Sequence, residues 1–368
     1  MQKNLLRETL RSFKPYVAGK PIEELRRELG LTGRIVKLAS NENPLGPSPK
    51  ALAVMKERAD EMALYPDDHC FALRTRLGAL YGCDIEQVFA ASGSAEAIEF
   101  TAQAFLNLDD EVVTSEHTFA IFSLAAQKMG ARLIKAPMLD GQYRYDVKEM
   151  ARLVGPQTKI VYLANPTNPT GTWFSAAEFD FLMDRIPEET LVMYDMAYNE
   201  FWTEPNAPDP FRYFKTGRRI AILCTLSKSH GLAGLRVGYV VAPRDIIQGL
   251  MLVRPPFNVS RLAQHAAIAA MEDHEFVKRS REHVIRERAF LYEGLKSLSV
   301  VVAPSQTNFL FVDTKKKAEW IFGELLKKGI IVRPMVHDGF PNAIRVSAGM
   351  HEDNEWFLAE FGRLVRQP

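Results

Sequence analysis

Seven short runs of β-branched and other apolar residues punctuate the chain, at 87–91, 111–114, 132–135, 159–164, 190–194, 221–226 and 237–242. Between most of them the apolar positions recur with a helical period, as in 95–105, 119–129 and 176–184. Strands that alternate with helices predict βαβ units and an α/β fold with a large, doubly wound, mostly parallel sheet. The last two runs are joined by a glycine-rich loop rather than a long helix, which predicts one antiparallel strand.

Past Pro255 the pattern changes. Residues 260–298 read as one long, mainly helical stretch with Ser260 as its N-cap. Short strands follow at 300–302, 308–312, 330–333 and 343–347, with a helix at 318–328 and another at the end. This predicts a smaller α+β domain. The expected division is a large domain over 45–258 and a small one built from 1–44 and 259–368.

Composition narrows the function. In 368 residues, 46 basic and 45 acidic side chains leave a net charge of +1. Such a balance argues against nucleic acid or an anionic membrane as partner, so any affinity for anions must come from local sites. The three cysteines, Cys70, Cys83 and Cys224, lack metal-ligand spacing, and a reduced, cytoplasmic protein without a metal site is expected. The amphipathic first sixteen residues lack the apolar core of a signal peptide, and no apolar run is long enough to span a bilayer.

The chemically unusual residues fall at the expected carboxyl ends of the strands, where open α/β sheets bind ligands. Ser92-Gly93-Ser94-Ala95-Glu96 follows the first strand and opens a helix. Small residues with free N–H groups at a helix start can cradle a phosphate, although such turns are common. Asn165-Pro166-Thr167-Asn168-Pro169-Thr170-Gly171 ends another strand in a stiff turn. Asp195 ends an apolar strand, with Tyr198 three residues on. A carboxylate there is costly unless paired, and a protonated pyridine nitrogen is one fitting partner; a helix N-cap is the plainer one. In Ser227-Lys228-Ser229-His230-Gly231 a lysine lies just past a buried strand, and Arg236 returns from the far side of the glycine turn. Desolvation and neighbouring cations would depress the pKa of such a lysine and make it a nucleophile, while the arginine offers a planar fork for phosphate.

The lysine segment resembles the cofactor-lysine motif of the fold-type I pyridoxal-5'-phosphate (PLP) aminotransferases, the aspartate aminotransferase superfamily. Asn168-Pro169-Thr170-Gly171 and Asp195-x-x-Tyr198 match the same superfamily in order and spacing. Five further stretches are similar to the histidinol-phosphate aminotransferase family: Lys14-Pro15-Tyr16-Val17-x-Gly19-Lys20, residues 40–47, Tyr65-Pro66-Asp67, residues 254–259 and residues 341–347. The resemblance covers essentially the whole chain.

The resemblance implies PLP as cofactor, bound to Lys228, with Asp195 on the ring nitrogen and Asn168 and Tyr198 on the ring oxygen. It places Ser94, Ala95 and Glu96 (through backbone N–H), Ser227 and Arg236 on the phosphate. Phe119 takes the place of a stacking tyrosine, which keeps the face and loses a hydroxyl. Arg345 and Arg333 would bind substrate anions, with Tyr16 closing over them and Asn43 also at the substrate. The family further implies a homodimer with shared active sites, Tyr65 reaching the neighbouring subunit's phosphate. The expected reaction passes an amino group from L-histidinol phosphate to 2-oxoglutarate, in histidine biosynthesis. An aromatic amino-acid aminotransferase, a PLP-dependent decarboxylase of a phosphorylated amino acid and a PLP-binding regulator are the alternatives. The last would need a DNA-binding domain and a basic patch, neither of which is visible. His230 and His337 receive no role.

Overall fold

The computed structural model describes residues 5–11, 13 and 15–367; Lys14, part of the N-terminal motif, lies outside them. The apolar runs become seven strands: β1 (Val88–Ala91), β2 (Glu111–Ser115), β3 (Arg132–Ala136), β4 (Thr158–Ala164), β5 (Leu191–Asp195), β6 (Ile220–Thr225) and β7 (Gly238–Val241). They lie in the order β1-β7-β6-β5-β4-β2-β3. Only β7 runs against its neighbours, as the short glycine-rich connection from β6 requires. Successive residues of the central strands feed opposite cores. Val113, Val161, Val192 and Ile222 pack on one face, and Val112, Ile160, Met193 and Leu223 on the other. Cover on both faces is why these strands read as continuous apolar runs rather than alternating ones.

A second, antiparallel sheet holds β8 (Val301–Val302), β9 (Phe309–Asp313), β10 (Arg333–Pro334) and β11 (Ala343–Ser347) in the order β8-β9-β11-β10. Val36–Lys37 pairs in parallel with Ile330–Ile331, and Val36 and Leu38 share a core with Leu291, Leu325 and Phe357. Two expectations need correction. The stretch 260–298 is two helices, Arg261–Met271 and His274–Lys296. The break is at Asp273, whose carboxylate accepts from Phe276 N (3.4 Å) and from Ser48 Oγ (2.7 Å), tying it to the helix Pro49–Glu57. The single strand expected at 330–333 is two pieces serving different sheets, with Val332 between them.

Candidate active site

The strand ends of the large sheet face β10 and β11 across a cleft of about 270 Å³. Of the residues singled out in the sequence, Tyr16, Ser94, Ala95, Phe119, Asn168, Asp195, Tyr198, Ser227, Lys228, Arg236, Arg333 and Arg345 line it. Three do not. Glu96 turns its carboxylate to Ser92 N (2.7 Å) and Asn258 Nδ2 (2.8 Å), and its own N–H donates to Gly93 O. Asn43 lies behind the lysine loop, where Nδ2 donates to Lys228 O and Ser229 O, both at 3.1 Å, and to Ser280 Oγ at 2.8 Å. Tyr65 is 77% exposed, stacks on Phe257 at 4.6 Å and lines an adjoining hollow that also reaches Arg236.

Lys228 follows β6, and its loop is pressed close to residues 40–47: a Cβ on Gly231 (φ +70°) would meet Gly46 O at 2.0 Å. Lys228 Nζ donates to Asn41 O at 3.2 Å and lies 5.6 Å from the centre of the Tyr198 ring. Burial, then the positive charges of Arg345 and Arg236, outweigh Glu42 and Asp195 and bring its pKa down to about 8. A substantial neutral fraction at mild pH makes it an amine nucleophile.

Around the lysine the polar groups are oriented by partners outside the cleft. Asn168 Oδ1 accepts from Arg345 Nη1 at 2.6 Å, which leaves the amide N–H groups to donate. Tyr198 Oη accepts from Asn41 Nδ2 at 2.9 Å, so its own proton is available; burial lifts its pKa to about 12. Asp195 is buried, accepting from Tyr162 Oη (2.8 Å) and Ala197 N (3.0 Å). Burial still raises its pKa, because those donors and the Lys228 charge only partly offset desolvation. A cation placed against it would complete the pairing.

At the other end, helix Ser94–Phe105 opens at Gly93, whose φ of +86° only glycine adopts readily. A Cβ there would stand 2.3 Å from Arg236 Nη2. The guanidinium therefore packs against bare backbone beside the helix N-terminus, where Ser94 and Ala95 lie; Ser227 Oγ is 3.5 Å from Arg236 Nη1. Helix start, hydroxyl and guanidinium together suit a phosphate.

Arg333 and Arg345 stand directly opposite each other on β10 and β11, both buried. Like charges in that relation repel. Arg345 Nε has no partner among the described residues, and burial holds its pKa below the usual arginine value. Arg333 makes no hydrogen bond or ion pair among them, and its guanidinium lies over the Tyr16 ring at 5.3 Å. Two buried guanidinium groups on facing strands would suit an anion.

Sequence reasoning missed Asn41 and Tyr162. Asn41 (φ +55°) holds Tyr198, receives Lys228 and is bonded to Ser347 Oγ and Asn308 Nδ2. Its signal was the Asn- and Pro-rich run 40–47. Tyr162 gave none, since a tyrosine inside an apolar strand reads as core. Among the described residues no cluster of His, Cys, Asp and Glu could hold a metal ion, and no helix is long and apolar enough to cross a membrane. His230, next to the lysine loop, is pushed down to about 4 by burial. Glu200, beyond Tyr198, points at Ser229 and Cys224 instead of the cleft; Oε2 has no partner among the described residues and burial lifts the pKa to about 7.

Comparison with known proteins shows the family and agrees with the fold. A sequence model of the aminotransferase class I and II family matches residues 33–360. The chain is 42% identical to a histidinol-phosphate aminotransferase of Anaeromyxobacter sp. over 96% of its own length and 97% of that protein's. It superposes with a TM-score of 0.89 on a histidinol-phosphate aminotransferase from Sinorhizobium meliloti in complex with pyridoxal-5'-phosphate, at 27% identity, covering 99% of this chain and 98% of that one. Aspartate aminotransferase of Thermus thermophilus, at 22% identity, shares the fold with a TM-score of 0.85 and coverage of 98% and 100%.

Proposed function

The chain belongs to the class I and II aminotransferase family, and from that premise we propose that it is a PLP-dependent transaminase passing the amino group of L-histidinol phosphate to 2-oxoglutarate, in histidine biosynthesis. The observation that carries the donor is the buried pair Arg333–Arg345, two cross-strand cations in the same cleft as Lys228. One half-reaction brings a phosphate and the other brings glutamate's two carboxylates, so both need planar forks for anions.

The cleft fits the cofactor on its own chemistry: a buried carboxylate lacking a cation, an amine of lowered pKa, and a helix start with an arginine packed on glycine. When bound, PLP supplies an aldehyde that accepts the amino group and a ring that withdraws electrons. Lys228 is the amine that would hold that aldehyde and the base that would carry the proton on and off the donor carbon. Asp195 would keep the ring nitrogen protonated. Asn168 and Tyr198 would donate to the ring oxygen, each through the hydrogen left free by Arg345 and Asn41. Ser94 and Ala95 N–H, Ser227 and Arg236 would hold the phosphate, and Phe119 would cover the ring face. Tyr16 closes over Arg333.

The same reading has residues 45–258 holding the cofactor, and 1–44 with 259–368 carrying the anion pair. It also has a cytoplasmic homodimer in which Tyr65, exposed beside Phe257 and the hollow at Arg236, reaches the neighbouring subunit's phosphate. The deciding measurement is kcat/KM for histidinol phosphate and for phenylalanine, each against 2-oxoglutarate. Histidinol phosphate should be the better donor; preference for phenylalanine would make the chain an aromatic amino-acid aminotransferase.

A further inference from the structure

Tyr162 lies on β4 two residues before Ala164, the cross-strand partner of Asp195, so it is the diagonal neighbour of Asp195 on the same sheet face. Ala164, one of the cleft-lining residues, is small enough to leave a path between them. Tyr162 Oη reaches across and donates to Asp195 Oδ2 at 2.8 Å. The ring is fully buried and stacked on Phe122, with centroids 4.3 Å apart and planes 8° apart. Ile160, Met193 and Leu223 share its core, and Tyr145 and Tyr198 are the other polar groups that act on it. A phenylalanine would fill that space without desolvating a hydroxyl. The hydroxyl is spent on one atom, an oxygen of the carboxylate at the cleft. Ala197 N–H serves the other oxygen, and these two are the only donors to the Asp195 carboxylate among the described residues.

Resting on the reading of Asp195 given above, we infer that Tyr162 is a positioning residue: its hydroxyl holds Asp195 in the ionised form and thereby keeps the shared proton on the cofactor's ring nitrogen. Burial and the negative charge of Asp195 push the tyrosine's own ionisation far above its ordinary value, so it stays a donor throughout the working pH range. Loss of the hydroxyl leaves the carboxylate with one donor in a dry site. The proton then moves toward Asp195, and the charge-assisted contact becomes a neutral one.

The test uses the full chain stripped of cofactor. PLP affinity is titrated for wild type, Tyr162→Phe, Asp195→Ala and the double variant, and the ring-nitrogen signal of 15N-labelled PLP is recorded for each. Tyr162→Phe should weaken PLP about two- to tenfold, the range for one hydrogen bond. It should also move the nitrogen signal toward neutral pyridine and add nothing on the Asp195→Ala background. An unchanged nitrogen signal, or an equal loss with and without Asp195, overturns the inference in favour of plain packing. Phe122→Leu keeps the hydroxyl but loosens the ring. If Tyr162→Phe does not fold, this variant should give the same displacement in smaller measure, and no displacement overturns the inference. Failure of wild type to bind PLP would instead remove the functional reading on which it stands.

Discussion

The two walls of the cleft bury charge in opposite ways. On the large sheet, Asp195 is a lone negative group already provided with two donors, one from a strand neighbour and one from the turn it begins. On the small sheet, Arg333 and Arg345 are two positive groups placed against each other, with a guanidinium nitrogen of Arg345 left unpartnered. The difference follows from what each wall meets. On the proposed reading Asp195 would face one resident cation, so its oxygens can be fixed in advance without loss. On the same reading the arginines would receive one anion and then another: the Arg333 side chain is left without a hydrogen bond among the described residues, and Arg345, whose Nη1 and Nη2 donate to Asn168 Oδ1 and Ala39 O, keeps Nε free. A fixed partner permits a finished site; a changing one favours an unfinished site.

Removal of the negative group should have the largest effect. Asp195→Ala should weaken PLP about 10- to 200-fold, the equivalent of the ~1.5–3 kcal/mol of a charged hydrogen bond. Turnover at saturating cofactor should fall further still, because the ring nitrogen's charge is needed in every cycle. Turnover within a few-fold of wild type would remove the distinction between the walls. Arg333→Ala comes next. It should lower kcat/KM for histidinol phosphate by about ten- to two-hundred-fold and hurt phenylalanine less. Equal losses for both donors would show that the arginine pair does not discriminate between anions.

Glu200 serves neither wall, and its effect falls on stability and leaves turnover least changed. Its folded pKa of about 7 lies above the ordinary 4.5, so protonation favours the native state. That contribution is complete below pH 4.5 and is lost as pH rises through 7. At about 1.4 kcal/mol for each tenfold change in proton affinity, the shift from 4.5 to about 7 corresponds to on the order of 3–4 kcal/mol. Glu200→Gln should therefore unfold at a higher temperature than wild type at pH 8 and match it at pH 4. A difference of the same size at both values would mean that shape, not charge, separates the two side chains.

Much of the large sheet is legible in the sequence because its strands are buried on both faces and must be apolar throughout. The antiparallel β7 is legible for a different reason: the link from β6 is too short to cross back. The small sheet is harder to read. Ile330 to Arg333 is one apolar run by composition, yet the chain changes sheets at Val332, a fact held in the partner strand Val36–Lys37 far away in sequence. The break at Asp273 depends on Ser48 in the same way. Within the site, Lys228, Asp195 and Arg236 are legible because a charged residue at the end of an apolar run is expensive anywhere but at a ligand. Tyr162 is not, since its hydroxyl acts across two strands and nothing in its neighbours along the chain marks it. Asn43 and Glu96 show the converse. Both lie in recognisable motifs, and both spend their side chains on the loops that carry the site.

Asn41 has a consequence for the order in which the molecule comes into being. Its backbone N–H bonds Ser347, 306 residues away, its carbonyl receives Asn308 across 267 residues and Lys228 across 187, and its amide reaches Tyr198 across 157. The βα units of the large sheet close over short distances and can assemble while the chain is still being made. The knot at Asn41 cannot: it must wait for Ser347, made 306 residues later. The pocket is thus sealed only once strands of both sheets have been made, so closing the cleft is a later event than laying down the βα units of the large sheet.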